Sequence, residues 1–144
     1  MIDPSAAIDE ILAKAKELTT VDIFEAGVPD NYSPPFIPGT NQIKPYIILN
    51  FAGLTEPAKG VNGITGATED SFQQGFTSHS VASTPSTARK VNSLMLRKLV
   101  GFTPANCGEI RPAFFGGIGE SSTLSDPSRY SAAQSYRMLV NPGN

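Results

Sequence analysis

The sequence predicts a small α+β domain, and three adjoining features of the chain support that prediction. Ser71–Ser83 alternates in the manner of a strand with one lightly apolar face and one polar face. Thr84 and Pro85 then supply an N-cap oxygen and a pre-set first helical residue. An amphipathic helix follows and ends at Gly101. A strand that leads directly into a helix, which must itself lie on a sheet, indicates an α+β fold.

Two helices are expected. Asp3 and Pro4 begin the first by the same combination of N-cap and proline. Its expected buried stripe comprises Ile8, Ile11, Leu12, Ala15 and Leu18. In the second helix, three- and four-residue spacing predicts a buried stripe of Ala88, Val91, Leu94, Met95 and Leu99.

Four further stretches are expected to form strands. Val21–Gly27 alternates loosely, whereas Tyr46–Ala52 is apolar almost throughout, which indicates burial on both faces and a central position. Glu109–Gly117 is predicted as an edge or bulged strand because it contains a proline. Tyr130–Val140 closes the chain, with Tyr136, Met138 and Val140 on one face.

The resulting order is α-β-β-β-α-β-β, which suits a single domain over residues 1–144. Long loops are predicted at about 28–45, 54–70 and 116–129. The first carries five prolines together with aromatic and branched side chains, so it forms either a docking arm or a cover over its own core. The second is rich in glycine and threonine.

Composition argues against several classes of function. The formal net charge is −2, so the chain lacks the overall basic field of a nucleic-acid-binding protein. The single cysteine, Cys107, excludes an internal disulfide and a cysteine-rich metal site. The first residues do not resemble a signal peptide, and the longest apolar runs are too short to cross a bilayer.

No motif indicates catalysis or a cofactor. His79 is the only histidine, and no serine or cysteine in a nucleophile motif accompanies it. The glycines of 60–66 and 116–119 lack the Gly-Lys-Ser/Thr ending of a phosphate-binding loop, so we interpret them as turn formers. We therefore expect no catalytic residue, no metal and no cofactor.

Charge is unevenly distributed along the chain. Seven of the thirteen acidic residues lie in the first thirty positions, where only two lysines accompany them. Four of the eleven basic residues lie on the second helix, namely Arg89, Lys90, Arg97 and Lys98. This distribution suits either head-to-tail contact between copies or two ordinary solvated surfaces.

The chain resembles the tail terminator proteins of long-tailed bacteriophages, of the type found in phages of actinobacteria. The similarity rests on the order of elements, on the N-terminal helix leading into Val21–Phe24, and on the strand Pro45–Leu49. It also rests on Phe76–Ser83 running into the second helix, and on the closing Tyr136–Val140.

The resemblance implies a structural virion protein rather than an enzyme. Helices would pack on a curved mixed sheet, and copies would close into a ring, hexameric in the family, that caps the tail tube and stops its polymerisation. The expected partners are other copies of the chain, the tail tube protein and the head–tail connector protein. DNA would pass through the ring without sequence-specific binding, and no membrane is involved. The protein would be assembled in the host cytoplasm and reside in the virion tail at the head–tail junction.

Interface positions follow from the loops and the charge distribution. The residues expected to contact neighbouring copies or the tube are Tyr32, Phe36, Ile37, Lys59, Arg89, Lys90, Arg97 and Lys98. Another ring-forming connector, a stopper or a tail completion protein is the nearest alternative. A small ligand-binding or enzymatic α+β domain and a monomeric host-directed protein are the more distant ones.

Overall fold

A mixed β-sheet with helices on one face organises the chain. The structure, a computed structural model, describes residues 5–30, 32–55, 72–105, 107–113, 118–123 and 129–140. The helices are α1 (Ser5–Ala15) and α2 (Pro85–Leu99). The strands are β1 (Asp22–Glu25), β2 (Tyr46–Thr55), β3 (Phe72–Ala82), β4 (Arg111–Pro112), β5 (Ile118–Thr123) and β6 (Arg129–Val140). The predicted α+β class is confirmed, and β5 is added to the predicted order.

The strands lie in the order β1-β2-β3-β6-β4. β1 and β2 are parallel, and every other described pairing is antiparallel. β2 is therefore an inner strand, as its apolar sequence predicted. The outer edge of β6 is shared, because β4 pairs near Tyr136 and β5 pairs along the first residues of β6.

A loop was predicted over residues 116–129. This prediction is wrong at Ile118–Thr123, which form strand β5. The segment is short, and five of its six residues are glycine or polar, so it shows little of the alternation by which a strand is predicted. It forms a strand because the start of β6 offers unpaired backbone groups along its outer edge. Within the predicted fourth strand, Arg111–Pro112 forms β4 and residues 114–117 lie outside the described residues. Pro112 lies at the sheet edge, as expected.

The main core lies between the helices and the sheet. Its sheet side includes Ile47, Leu49, Phe76, Tyr136 and Met138, all buried. Its helix side consists of Ala7, Ile11 and Ala15 from α1 and Val91, Met95 and Leu99 from α2. The rings of Phe51, Phe76 and Tyr136 stack across three neighbouring strands, with centroids 5.2 and 4.9 Å apart. We call this the helix-covered face of the sheet and the other the open face.

The second helix begins and ends where the sequence predicts. The Thr84 side chain accepts a hydrogen bond from the Thr87 backbone N–H at 3.2 Å, and Pro85 opens the first turn. Beyond the helix, Gly101 has a φ of 90°, which favours glycine. One residue of its predicted stripe is placed wrongly, since Leu94 is 41% exposed.

The predicted loops at 28–45 and 54–70 are only partly described. Residues 56–71 lie outside the described residues, and with them the predicted contact residue Lys59 and the glycines of 60–66. β2 runs to Thr55, so the start of the predicted second loop belongs to a strand. Neither α1 nor α2, the helices of the described part of the chain, is long and apolar enough to cross a membrane.

Candidate interaction surfaces

The proline-rich segment is anchored to the sheet at both ends. Near its start, the Tyr32 hydroxyl donates a hydrogen bond to Asp22 Oδ2 at 3.0 Å. Lys44, at the other end of the segment, binds Oδ1 of the same carboxylate through Nζ at 3.0 Å. Near its end, the Ile43 backbone N–H donates to Ser83 Oγ at 2.8 Å, and Ile43 is 2% exposed. The segment is therefore packed against the sheet at both ends and is not a free linker.

Tyr32 belongs to an aromatic cluster under this segment. Its ring lies 4.7 Å from Phe24 and 5.7 Å from Tyr46, centroid to centroid, in edge-to-face arrangements. Burial and the hydrogen bond to the Asp22 carboxylate raise the pKa of Tyr32 to about 12. Tyr32 was predicted as an interface residue, and the structure places it in an internal cluster, where its ring and hydroxyl are already occupied.

Phe36 and Ile37 lie in the projecting part of the same segment. The Ile37 N–H donates to the Gln42 carbonyl at 2.8 Å, and Gly39, with a φ of 78°, lies between them. These contacts close a small hairpin over residues 36–43, with Phe36 bridged to Ile43. Phe36 is 56% exposed, whereas Ile37 is partly buried. The sequence left open whether the segment docks or covers its own core. In the structure, Tyr32 and Ile43 pack against the sheet, whereas the phenyl ring of Phe36 is exposed between them.

The second surface is the α2 outer face, defined by Ser86, Arg89, Lys90, Ser93, Leu94 and Arg97. All six are exposed, because α2 turns its opposite side to the core. Three of the predicted interface residues, Arg89, Lys90 and Arg97, are thus brought together around one exposed leucine. Lys90 and Arg97 form no ion pair with any residue that the structure describes.

Lys98 was predicted with this group, but the structure places it elsewhere. Its Nζ lies 2.7 Å from Glu17 Oε1, so it joins the end of α2 to the segment after α1. Lys14 approaches the same carboxylate at 3.8 Å. The two lysines lower the pKa of Glu17, with the hydrogen bond from Lys98 as the largest cause. Lys98 is therefore occupied within its own chain.

The third surface is the β1 edge segment, residues 25–30, which runs from the end of the edge strand into the proline-rich segment. All six residues are exposed. Glu25 and Asp30 flank Val28, which is 37% exposed, and the segment contains no basic residue. Neither acid forms an ion pair with a described residue. The sequence showed an excess of acid in the first thirty residues, but not which of these acids form no ion pair with a described residue.

The middle of the open face forms a shallow concavity. Asn50, Gln73, Gly75, Thr77, Ser135 and Arg137 line it. His79 lies further along β3 on the same face, whereas Cys107 packs against the main core on the opposite side of the sheet. Burial and the nearby Glu10 charge raise the pKa of Cys107, which favours the thiol over the reactive thiolate. The two residues are not brought together as a nucleophile and base.

The described residues include no group of three His, Cys, Asp or Glu side chains that could hold a metal ion. No protein-family model matches the chain, and no curated protein is found to be similar to it.

Proposed function

We propose that this chain is a structural protein of a bacteriophage tail, a tail terminator that forms a ring at the end of the tail tube. The resemblance in sequence motivates the choice of family. A binding role of this kind is supported by one observation above the others, the exposed phenyl ring of Phe36 on a short, anchored hairpin.

An aromatic residue held in this way is a good binding anchor. The hairpin is closed by backbone hydrogen bonds and flanked by Pro34, Pro35 and Pro38, so little conformational entropy is lost when it docks. Aromatic residues, phenylalanine among them, are enriched in protein interfaces relative to the rest of the surface. In the proposed assembly, Phe36 contacts a neighbouring copy or the tube protein.

The proposed assembly has defined partners. The ring caps the tube, stops its polymerisation and joins it to the head–tail connector, and DNA passes through it without sequence-specific contacts. In this proposal the protein is assembled in the host cytoplasm and resides in the virion.

The direct test is negative-stain imaging with native mass spectrometry of the purified protein, alone and mixed with tail tubes. A closed ring of about six copies seated at one tube end is the expected result. Rings that ignore tubes would assign the protein to another connector, stopper or completion role. Monomers that ignore tubes at every concentration would contradict any role in tail assembly.

Replacing Phe36 by serine tests whether its exposed phenyl ring acts as a binding anchor. We expect ring formation or tube-end binding to weaken about tenfold, because loss of a buried aromatic anchor costs more than about 1 kcal/mol. The matched control is Leu139→Ser, which also removes an apolar side chain that is exposed, at 46%, but lies on β6. Equal effects of the two substitutions on binding would show that Phe36 has no special role.

A further inference from the structure

We propose that the α2 outer face of one copy binds the β1 edge segment of a second copy, with Leu94 against Val28 and the basic residues against Glu25 and Asp30. The proposal rests on the proposed self-assembly and names the contact that would produce it. It names charged residues that the sequence alone could not distinguish from those paired within the chain.

Internal ion pairs identify which charges are available. Glu17 is bound to Lys98, and Asp22 is bound to Lys44 and Tyr32. Glu10 accepts a hydrogen bond from the Ala105 backbone N–H at 2.8 Å. Among the acids of α1, β1 and the turns after them, Asp9, Glu25 and Asp30 are exposed and form no ion pair with a described residue. Glu25 and Asp30 are the two of these that lie together in one segment, on either side of an exposed aliphatic residue.

The two surfaces are complementary in composition. Each has an exposed aliphatic side chain, Leu94 or Val28, at 41% and 37% exposure. Each aliphatic side chain is flanked by charges of a single sign, positive around Leu94 and negative around Val28. An apolar centre with a polar rim is the usual arrangement of a protein interface, and opposite charges increase both the encounter rate and the specificity.

A single chain cannot bring the two surfaces together. α2 packs over β3 and β6, which are two and three strands away from β1 in the sheet. Since strands are spaced about 4.8 Å apart, the helix axis lies about 10–14 Å from the β1 edge along the sheet, and its outer face points away from the sheet. The contact must therefore form between copies.

Contacts between two different surfaces can propagate. Each copy offers one α2 outer face and one β1 edge segment, so a chain of such contacts closes into a ring if the rotation between copies permits. The same two surfaces can also pair reciprocally in a dimer, and the number of copies distinguishes the two.

The test uses two half-reversed variants of the full chain. The first, Lys90→Glu with Arg97→Glu, makes both surfaces acidic. The second, Glu25→Lys with Asp30→Lys, makes both surfaces basic. Sedimentation velocity and native mass spectrometry measure self-association of each variant alone and of their equimolar mixture. Circular dichroism checks that each variant is folded.

We expect each variant alone to self-associate at least about tenfold more weakly than the wild type, because like charges then face each other. The mixture should assemble again, since each acidic surface then has a basic partner, with the two variants alternating. Added salt should weaken wild-type association. As a matched control, Lys16→Glu is compared with Arg97→Glu alone. Both substitutions change the charge by the same amount, but Lys16 lies at an exposed position of the segment after α1.

The outcomes separate this contact from the proposed function. Rings that form equally well from either variant would overturn the contact and leave the ring intact. Assembly that responds to both reversals and to mixing but stops at a dimer would uphold the contact and overturn the ring. A first variant that still self-associates but no longer binds a duplex DNA probe would identify nucleic acid as the partner of α2 and overturn the proposal. A wild type that stays monomeric both alone and with tail tubes would overturn both.

Discussion

Tyr136 lies in an environment unlike that of a free tyrosine side chain. Its ring stacks on that of Phe76 in the main core, and the residue is 1% exposed. Its hydroxyl accepts a hydrogen bond from the Ser78 hydroxyl at 3.3 Å. Burial raises the pKa of Tyr136 to about 12, and the Ser78 hydroxyl opposes that shift. The folded protein therefore keeps this phenol protonated at pH values where an exposed tyrosine ionises.

This environment predicts loss of stability in alkaline solution. The pKa of Tyr136 is higher in the folded state than the ordinary value of about 10, so its contribution is fully present below pH about 10 and is lost as the pH rises through about 12. Between pH about 9 and about 11.5, we expect Tyr136 to account for about 2 kcal/mol of the fall in the free energy of unfolding.

Urea unfolding of the wild type and of Tyr136→Phe across that pH range measures this contribution. The phenylalanine variant should lose less stability, although Tyr32, whose pKa is also raised to about 12, leaves part of the alkaline fall in both proteins. Identical pH dependence in the two proteins would show that the Tyr136 hydroxyl stays accessible to ionisation in the folded state.

On the scale of single elements, α2 shows how far helical periodicity predicts burial. Four of its five predicted stripe residues are buried, namely Ala88, Val91, Met95 and Leu99. Leu94 is exposed because, at 100° per residue, it lies about 100° from the centre of that stripe. Leu94 fits the three- and four-residue spacing by which the buried stripe was predicted. The contact between α2 and the sheet is too narrow to bury it.

The adjacent pair Leu94 and Met95 makes this distinction measurable. Met95→Ala should lower the free energy of unfolding by about 2–5 kcal/mol, because it removes a fully buried side chain from the main core. Leu94→Ala should change it by less than about 1 kcal/mol. Both substitutions place alanine in the middle of the same helix, so each controls for the helix propensity of the other. Similar losses from the two would contradict the orientation of α2.

For the whole molecule, the sheet has a strong centre and a weak edge. β3 pairs along its length with both β2 and β6, whereas β1 pairs with β2 over four residues. The helices cover the same central strands, since α2 contacts both β3 and β6. Global unfolding is therefore needed to open the centre, and local opening suffices at the β1 edge.

Native-state hydrogen exchange tests this gradient. Amides of β3 should exchange most slowly, at a rate set by global unfolding, and amides of β1 should exchange at least about tenfold faster. Rates are compared after correction for the intrinsic exchange of each residue. Protection of β1 equal to that of β3 in the isolated protein would contradict the order of strands, whereas protection of β1 that appears only on assembly would agree with an interface at that edge.

The sequence by itself determined the class of fold, both helices and the inner position of β2. These features depend on signals confined to one segment: an N-cap with a proline, a helical spacing of apolar residues and a continuous apolar run. Tertiary structure alone decided the strand of residues 118–123, the exposure of Leu94, and which charges pair within the chain. β5 depends on a free edge of β6, and the pairs Glu17–Lys98 and Asp22–Lys44 join residues far apart in sequence. Local pattern carries no information on such distant partners, so only the folded chain separates the internally paired charges from those left on the surface.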